Sequence, residues 1–284
     1  MTNDTGLDIH VYVAPMRPVP NPAAEAAGVT PMWSPCSSTL ITGETEALLV
    51  DALITYDQAD ALAEWIKGFG KKLVGVLFTH GHSDHTFGLT RLREHFPGLR
   101  GLATRGVLER TRFEKATMGP YWQSVFGDQV PGDPVLPELL EGDSISLDGH
   151  RLSVLDLGQG DIEDSTILYV PQLDAVVAGD ICYNQVHMMT AFTDDEKREA
   201  WIANLDRIAA MNPRIVVSGH KRVDAPDTPD TIEQSKQYLR DWGRVAAEQE
   251  TAEGIFGEMM KLHGDRDNPY TLLLCAQLTV QNRG

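Results

Sequence analysis

Three histidines and an aspartate fall within six consecutive positions, His80-Gly81-His82-Ser83-Asp84-His85, directly after the apolar run LVGVLFT at 73–79. The chain has nine histidines, so a third of them stand at one predicted strand end. Residues two apart in an extended stretch point the same way, so His80 and His82 can converge on one ion. Asp84 and His85 follow in the turn that starts a helix and can face a second. Imidazole nitrogen and carboxylate oxygen suit zinc, and manganese or iron when oxygen ligands are added. The plain alternative is a solvated turn or a set of capping residues, and the spacing argues against it.

The texture around this cluster alternates between apolar strands and amphipathic helices. SSTLITG (37–43) and EALLVDA (46–52) predict a hairpin, and 57–69 has helical spacing with Leu62, Trp65 and Ile66 on one face. A helix is expected at 105–115, followed by an irregular Pro- and Gly-bearing excursion over 118–142, long enough to serve as a lid or substrate loop. From 143 the strands return as SISLDG, RLSVLDLG, STILYVP and AVVAGD; a helix at 195–211 leads to RIVVSG at 214–219, and helical pattern dominates from about 228. Two blocks of strands with helices between them predict a layered α/β protein with two sheets packed face to face. No linker divides the chain, so a single domain over 1–284 is expected, with a Pro-rich loop at about 14–31 and a C-terminal helical region at about 228–284.

THGHSDH resembles the HxHxDH signature of the metallo-β-lactamase superfamily, and the resemblance extends from about 37 to 222. It implies a four-layer αββα sandwich, with a metal-bridging aspartate and a final histidine at later strand ends. VVAGD supplies Asp180 and VVSGH supplies His220, in that order. Where the family usually reads Gly-His, this chain reads Gly158-Gln159-Gly160-Asp161. Gln159 therefore stands where the third ligand of the first site is expected.

The implied ligand set is His80, His82, Gln159 and Asp180 for one ion, and Asp84, His85, His220 and the shared Asp180 for the other. An amide oxygen is a weaker zinc ligand than imidazole and suits harder cations better. Three occupancies are open: two ions with Gln159 bound directly or through water, one ion in the complete second site, or a degenerate site. The cofactor expected is zinc, two ions or one, with manganese or iron as alternatives. Metal-activated water attacking an ester, lactone or thioester-like small molecule is the implied chemistry, with Asp84 orienting the nucleophile. Tyr183 and Asn184 follow Asp180 closely enough to donate to an oxyanion. The alternative is a retuned lyase or isomerase, or a binding protein without catalysis, because of Gln159. His187 is read as a packed or exposed histidine, with leaning in to compensate for Gln159 as the alternative; Asp161 and Asp164 as a solvated turn, with Asp161 near enough to supply a carboxylate; and Lys221 and Arg222 as a surface charge pair, with attraction of a substrate carboxylate as the alternative.

Composition narrows the partners. With 41 acidic against 24 basic residues the formal net charge is −17, which disfavours a phosphate-backbone ligand and points to a small-molecule substrate. No apolar run approaches the roughly 18–20 residues that span a bilayer, so no membrane partner is expected. No secretory signal is read at the start, which makes the cytoplasm the expected location. Cys36, Cys182 and Cys275 are scattered, odd in number and free of any CxxC pair, so neither a disulfide framework nor a cysteine-built zinc site is expected. Oligomeric state is not legible.

Overall fold

Alternate residues of a strand face opposite sides of its sheet, and in this chain both sides are buried. The computed structural model describes residues 6–283. The N-terminal half comprises β1 (Asp8–Ala14), β2 (Arg17–Pro18), α1 (Pro22–Ala26), β3 (Met32–Trp33), β4 (Cys36–Thr42), β5 (Glu46–Val50), α2 (Tyr56–Lys67) and β6 (Lys72–Leu77). It continues through α3 (Ser83–Thr86), α4 (Leu89–His95), β7 (Gly101–Ala103), α5 (Arg105–Thr117), α6 (Gly119–Phe126) and β8 (Glu138–Leu139). The C-terminal half comprises β9 (Ser144–Leu147), β10 (His150–Gly158), β11 (Ser165–Val170), β12 (Ala175–Asn184), α7 (Asp195–Ala210) and β13 (Ile215–Lys221). Three helices close it: α8 (Asp230–Glu248), α9 (Ala252–His263) and α10 (Pro269–Gln281).

Eleven strands form one hydrogen-bonded sheet in the order β8-β7-β6-β5-β4-β13-β12-β11-β10-β9, with β1 paired to β4; β2 and β3 make a separate ribbon. The expected two sheets are thus two halves of one curled sheet. They meet where β4, after pairing with β5 through Thr39–Thr42, touches β13 at the pair Cys36 and His220. The curl has an energetic reason. Ile41, Leu48, Val50 and Leu77 of the first half share one buried cluster with Val154, Leu168, Val177 and Val217 of the second. Their sequence neighbours Leu40, Leu49, Val76 and Phe78 face the other way, under α2 and α4. On the second half Ile167, Val176 and Val216 turn outward against Trp201, Tyr238 and Trp242 of α7 and α8. Helices, sheet half, sheet half and helices therefore stack as four layers, each large apolar side chain removed from water being worth about 1.5–3 kcal/mol.

Two segments differ from the sequence reading. The excursion after α5 is not irregular throughout, because α6 carries Pro120 in its first turn and is capped at Gly127, whose φ is +57°. What holds α6 is Trp122, 5 % exposed, whose ring meets Trp33 edge-on at 4.6 Å. The Pro-rich segment contains β2 and α1, and its Val19, Ala24 and Val29 pack against Tyr270 and Leu273 of α10.

Candidate metal centre and cavity

His80 and His82 lie in the turn between β6 and α3, while Asp84 and His85 are the second and third residues of α3. Asp180 is not at the end of β12, which runs on to Asn184; it sits at an irregularity in the β12–β13 register between Gly179 and Tyr183. The bulged backbone aims its carboxylate out of the ladder. Two glycines make room. A side chain on Gly219 of β13 would place its Cβ 2.0 Å from Asp180 Oδ1, and one on Gly179, at φ +52°, would meet Thr79 Oγ1 at 2.5 Å. His220 follows Gly219 and is 5 % exposed.

The donors gather into two groups, each with its ligand atoms within 4.8 Å of one another: His80, His82, Asp161 and Asp180, and Cys36, Asp84, His85 and His220. In the first, His80 Nε2 lies 3.2 Å from His82 Nδ1 and 3.8 Å from Asp180 Oδ2, and His82 Nδ1 lies 2.9 Å from Asp161 Oδ2. In the second, His220 Nε2 lies 3.4 Å from Asp84 Oδ2. Asp180 joins them, with Oδ1 3.4 Å from His85 Nε2 and Oδ2 3.2 Å from His220 Nε2.

Cys36 belongs to the second group by proximity only. Its Sγ is 3.9 Å from His85 Nδ1 and 3.8 Å from Nε2, so it stands beside the imidazole and off the axis of the Nε2 lone pair. The thiol also lies 3.6 Å from the Asp84 carbonyl, and burial raises its pKa. It is a packed thiol.

Gln159, the sequence choice for the third ligand of the first site, has its side-chain Nε2 donating to the Gly160 carbonyl at 2.8 Å, and its main-chain carbonyl accepts from Asn204 Nδ2 at 2.8 Å. The same loop brings Asp161 to the cluster, fully buried where a solvated turn was the favoured expectation and a carboxylate supplied to the site the alternative. A signal existed: in Gly160-Asp161-Ile162 the carboxylate stands between glycine and an apolar residue, a setting of buried chain more than of solvated turn. Asn184 is likewise spent elsewhere, its Nδ2 donating to the Pro226 carbonyl at 2.9 Å, and it does not line the cavity. Lys221 and Arg222 are held by Asp227 and Asp267.

Tyr183 does reach the cluster. Its hydroxyl donates to Asp180 Oδ2 at 2.7 Å, and its ring stacks on His220 at 5.5 Å. Two supports escaped the sequence reading. Asp51, 2 % exposed and at φ +63°, accepts from Thr79 N and Oγ1 at 2.9 and 2.8 Å and from His85 Nδ1 at 2.9 Å. Trp33 Nε1 donates to Asp84 Oδ2 at 3.2 Å.

The electrostatics suit a cation. Burial alone would raise the Asp84 and Asp180 pKa values, yet the imidazoles around them hold both below the usual carboxylate range. Burial pulls His85 and His220 down, but the surrounding anions override it and raise both. His80 goes the other way, lowered by burial and by His85. Asp161 is raised by burial and by Asp180. Its Oδ2, although close to His82, lies off the ring N–H direction and has no hydrogen-bond partner among the described residues, and the same holds for Asp180 Oδ1. Buried oxygens left unpaired beside imidazole nitrogens fit the donor set of a divalent ion.

Above the cluster opens a cavity of about 570 Å³. His82, Asp84, Asp161, Asp180, Tyr183 and His220 form its polar floor. Trp33, Phe113, Trp122, Phe192, Leu274 and Leu278 contribute to its walls. No helix among the described residues is long and apolar enough to cross a membrane.

No curated protein matches the chain. Among solved structures, it is similar to a metallo-beta-lactamase family protein from Thermus thermophilus, at 19 % identity and TM-score 0.63 over 96 % of this chain and 94 % of that one. It is similar to a metallo-beta-lactamase from Pontibacter korlensis (16 %, TM-score 0.60, 83 % of this chain and 99 % of that one). A third, from Hirschia baltica, shows 18 % identity and TM-score 0.59 over 84 % and 95 %. These likenesses establish the fold. The superfamily profile matches residues 31–220, from the ribbon beside the cavity to the last histidine of the cluster, and by that match the chain belongs to the metallo-beta-lactamase superfamily.

Proposed function

We propose that the protein is a metal-dependent hydrolase acting on a small ester, lactone or thioester-like molecule. The observation that carries this reading is the pair of donor groups meeting at Asp180 on the floor of an apolar cavity. His80, His82, Asp161 and Asp180 would hold one divalent ion, and Asp84, His85, His220 and Asp180 the other. Such ions supply charge that polarises a carbonyl and acidifies water. Zinc is the first expectation for both positions; Asp161 in place of an imidazole adds an oxygen donor and makes manganese or iron better competitors at the first.

The side chains divide the remaining work. Asp51 and the Pro35 carbonyl, which accepts from His220 Nδ1 at 2.8 Å, fix the tautomers of His85 and His220 so that each offers Nε2. Trp33 holds Asp84 Oδ2, leaving a carboxylate that can accept a proton from the nucleophile and return it to the leaving group. Tyr183, its pKa raised by burial and by Asp180, stays protonated and anchors the shared carboxylate. The walls exclude bulk water from the reacting carbonyl.

Metal-supplemented protein assayed on lactone, thioester, aryl ester, phosphotriester and β-lactam panels, beside Asp180→Ala, tests this reading. Turnover lost in the variant, with solvent oxygen incorporated from labelled water, is expected. No hydrolysis in any panel, or equal behaviour of the two proteins, overturns it.

A further inference from the structure

His187 is a polar residue of the cavity lining that belongs to neither donor group. It lines the cavity, is 0 % exposed, and its Nε2 has no hydrogen-bond partner among the described residues. Its other nitrogen, Nδ1, lies 3.1 Å from the Tyr238 hydroxyl of α8. Tyr238 is fully buried and its phenol pKa is raised by that burial, so it keeps its proton. The side chain it can give that proton to, among the described residues, is His187 Nδ1. An imidazole that accepts at Nδ1 and is neutral carries its own hydrogen on Nε2. Neutrality is favoured by burial and by Arg266 and His263, which hold the His187 pKa down at about 3.

A buried N–H without an acceptor is costly, and such groups in folded proteins ordinarily find one. The cavity that His187 lines offers apolar surface, Met189 and Leu274 included. We propose that His187 Nε2–H is a recognition donor, and that the cavity takes a neutral, largely apolar molecule with a hydrogen-bond acceptor, such as a carbonyl or ether oxygen, remote from its reacting group. The inference rests on the hydrolase reading only for which end of the ligand meets the donor groups. His187 is thus a positioning and specificity residue for the ligand's far end. The formal charge of −17 and the pairing of the mouth cation Arg110 with Glu114 at 2.8 Å both disfavour an anionic ligand.

A matched pair of probes tests this without turnover. 2-Acetylnaphthalene and 2-isopropenylnaphthalene have nearly the same shape, and only the first offers a carbonyl acceptor. Equilibrium dialysis of each against the full chain, wild type and His187→Phe, gives a ratio of ratios free of their different solubilities. A selectivity for the ketone about five- to tenfold greater in wild type than in the variant is expected, the worth of one buried hydrogen bond. Tyr238→Phe keeps the cavity wall and removes only the partner of Nδ1; it should lower ketone affinity several-fold, with olefin affinity unchanged. Nitrogen-15 spectra of histidine-labelled protein should show the His187 proton on Nε2 in wild type.

Equal selectivity in all three proteins, a proton on Nδ1, or no binding of either probe overturns the proposal. If His187→Phe fails to fold, Tyr238→Phe and the tautomer decide. Ester hydrolysis and metal content on the same preparations report the hydrolase reading separately. Ketone selectivity without hydrolysis leaves this inference standing and removes that one; hydrolysis without selectivity does the reverse.

Discussion

His85 and His220 each spend Nδ1 on a fixed acceptor, Asp51 Oδ2 at 2.9 Å and the Pro35 carbonyl at 2.8 Å. On the other side of Asp180, His82 turns Nδ1 itself toward the cluster, and the nearest anchor of His80 is the Thr79 hydroxyl at 3.1 Å. The second group is therefore braced by a buried carboxylate, a main-chain carbonyl and, through Asp84, the Trp33 indole. The first is a set of donors with fewer restraints and one imidazole exchanged for Asp161. Two sites that share a carboxylate are thus expected to differ in affinity and in metal preference, the second tighter, the first more tolerant of oxygen-loving ions.

The largest effect should come from the residue common to both. Asp180→Ala removes the oxygens that stand among His80, His85 and His220 Nε2. Metal content by elemental mass spectrometry should fall toward zero and hydrolysis by at least about 10³-fold, because the charge of the ions is worth several kcal/mol at the transition state. Tyr183→Phe is the control: it deletes one hydrogen bond to Asp180 and should cost about tenfold or less. Retention of two equivalents by the alanine variant would show that the groups do not depend on their shared member.

Asp51→Asn sharpens the difference between the groups. It keeps the shape beside His85 but removes the charge that fixes its tautomer. Affinity for the more tightly held equivalent should drop roughly 10–100-fold, read by chelator competition, while the weaker equivalent changes less. Equal losses at both would place the brace on Thr79, which Asp51 also holds, and so on His80.

A comparison of polar floor with apolar wall gives the next prediction. With its pKa near 3 in the fold and about 6.5 when unfolded, His187 binds fewer protons in the native state than in the denatured one across that window. Its contribution to stability is present above pH 6.5 and is lost as pH falls toward 3. The groups that set this are Tyr238 on α8, His263 on α9 and Arg266 beyond it. Between pH 7 and pH 5 the wild type should lose about 2 kcal/mol more than His187→Phe, from denaturant unfolding. Parallel pH profiles would mean that His187 titrates normally.

What was legible in the chain follows the range of the interactions. His80, His82, Asp84 and His85 lie within six residues, so their convergence is set by one strand end and one turn, and spacing reveals it. Asp180 and His220 were legible because each closes an apolar run. Trp33, Asp51 and His187 act through partners 51, 34 and 51 positions away, and no local pattern records such pairings. The helix at 119–126 was hidden for the same reason: it is held by Trp122 on Trp33, a contact between distant segments.

The smallest expected effect falls on the residue that the chain alone made most conspicuous. Reading the loop after β10 by its Gly-Gln dipeptide placed Gln159 in the first group, but its amide folds back on Gly160 and its main chain is tied to Asn204. Gln159→His should leave metal content unchanged and alter activity by no more than about twofold, the range of substitutions that touch no such feature. Asp161→His, two positions on, should instead shift the first group toward zinc over manganese, because it replaces an oxygen donor by imidazole. Competition between the two metals, measured on both variants, separates the positions. A gain of metal in Gln159→His with none in Asp161→His would mean that the loop can present residue 159 after all; the reverse result makes the carboxylate of Asp161 the feature that sets the first group apart from the second.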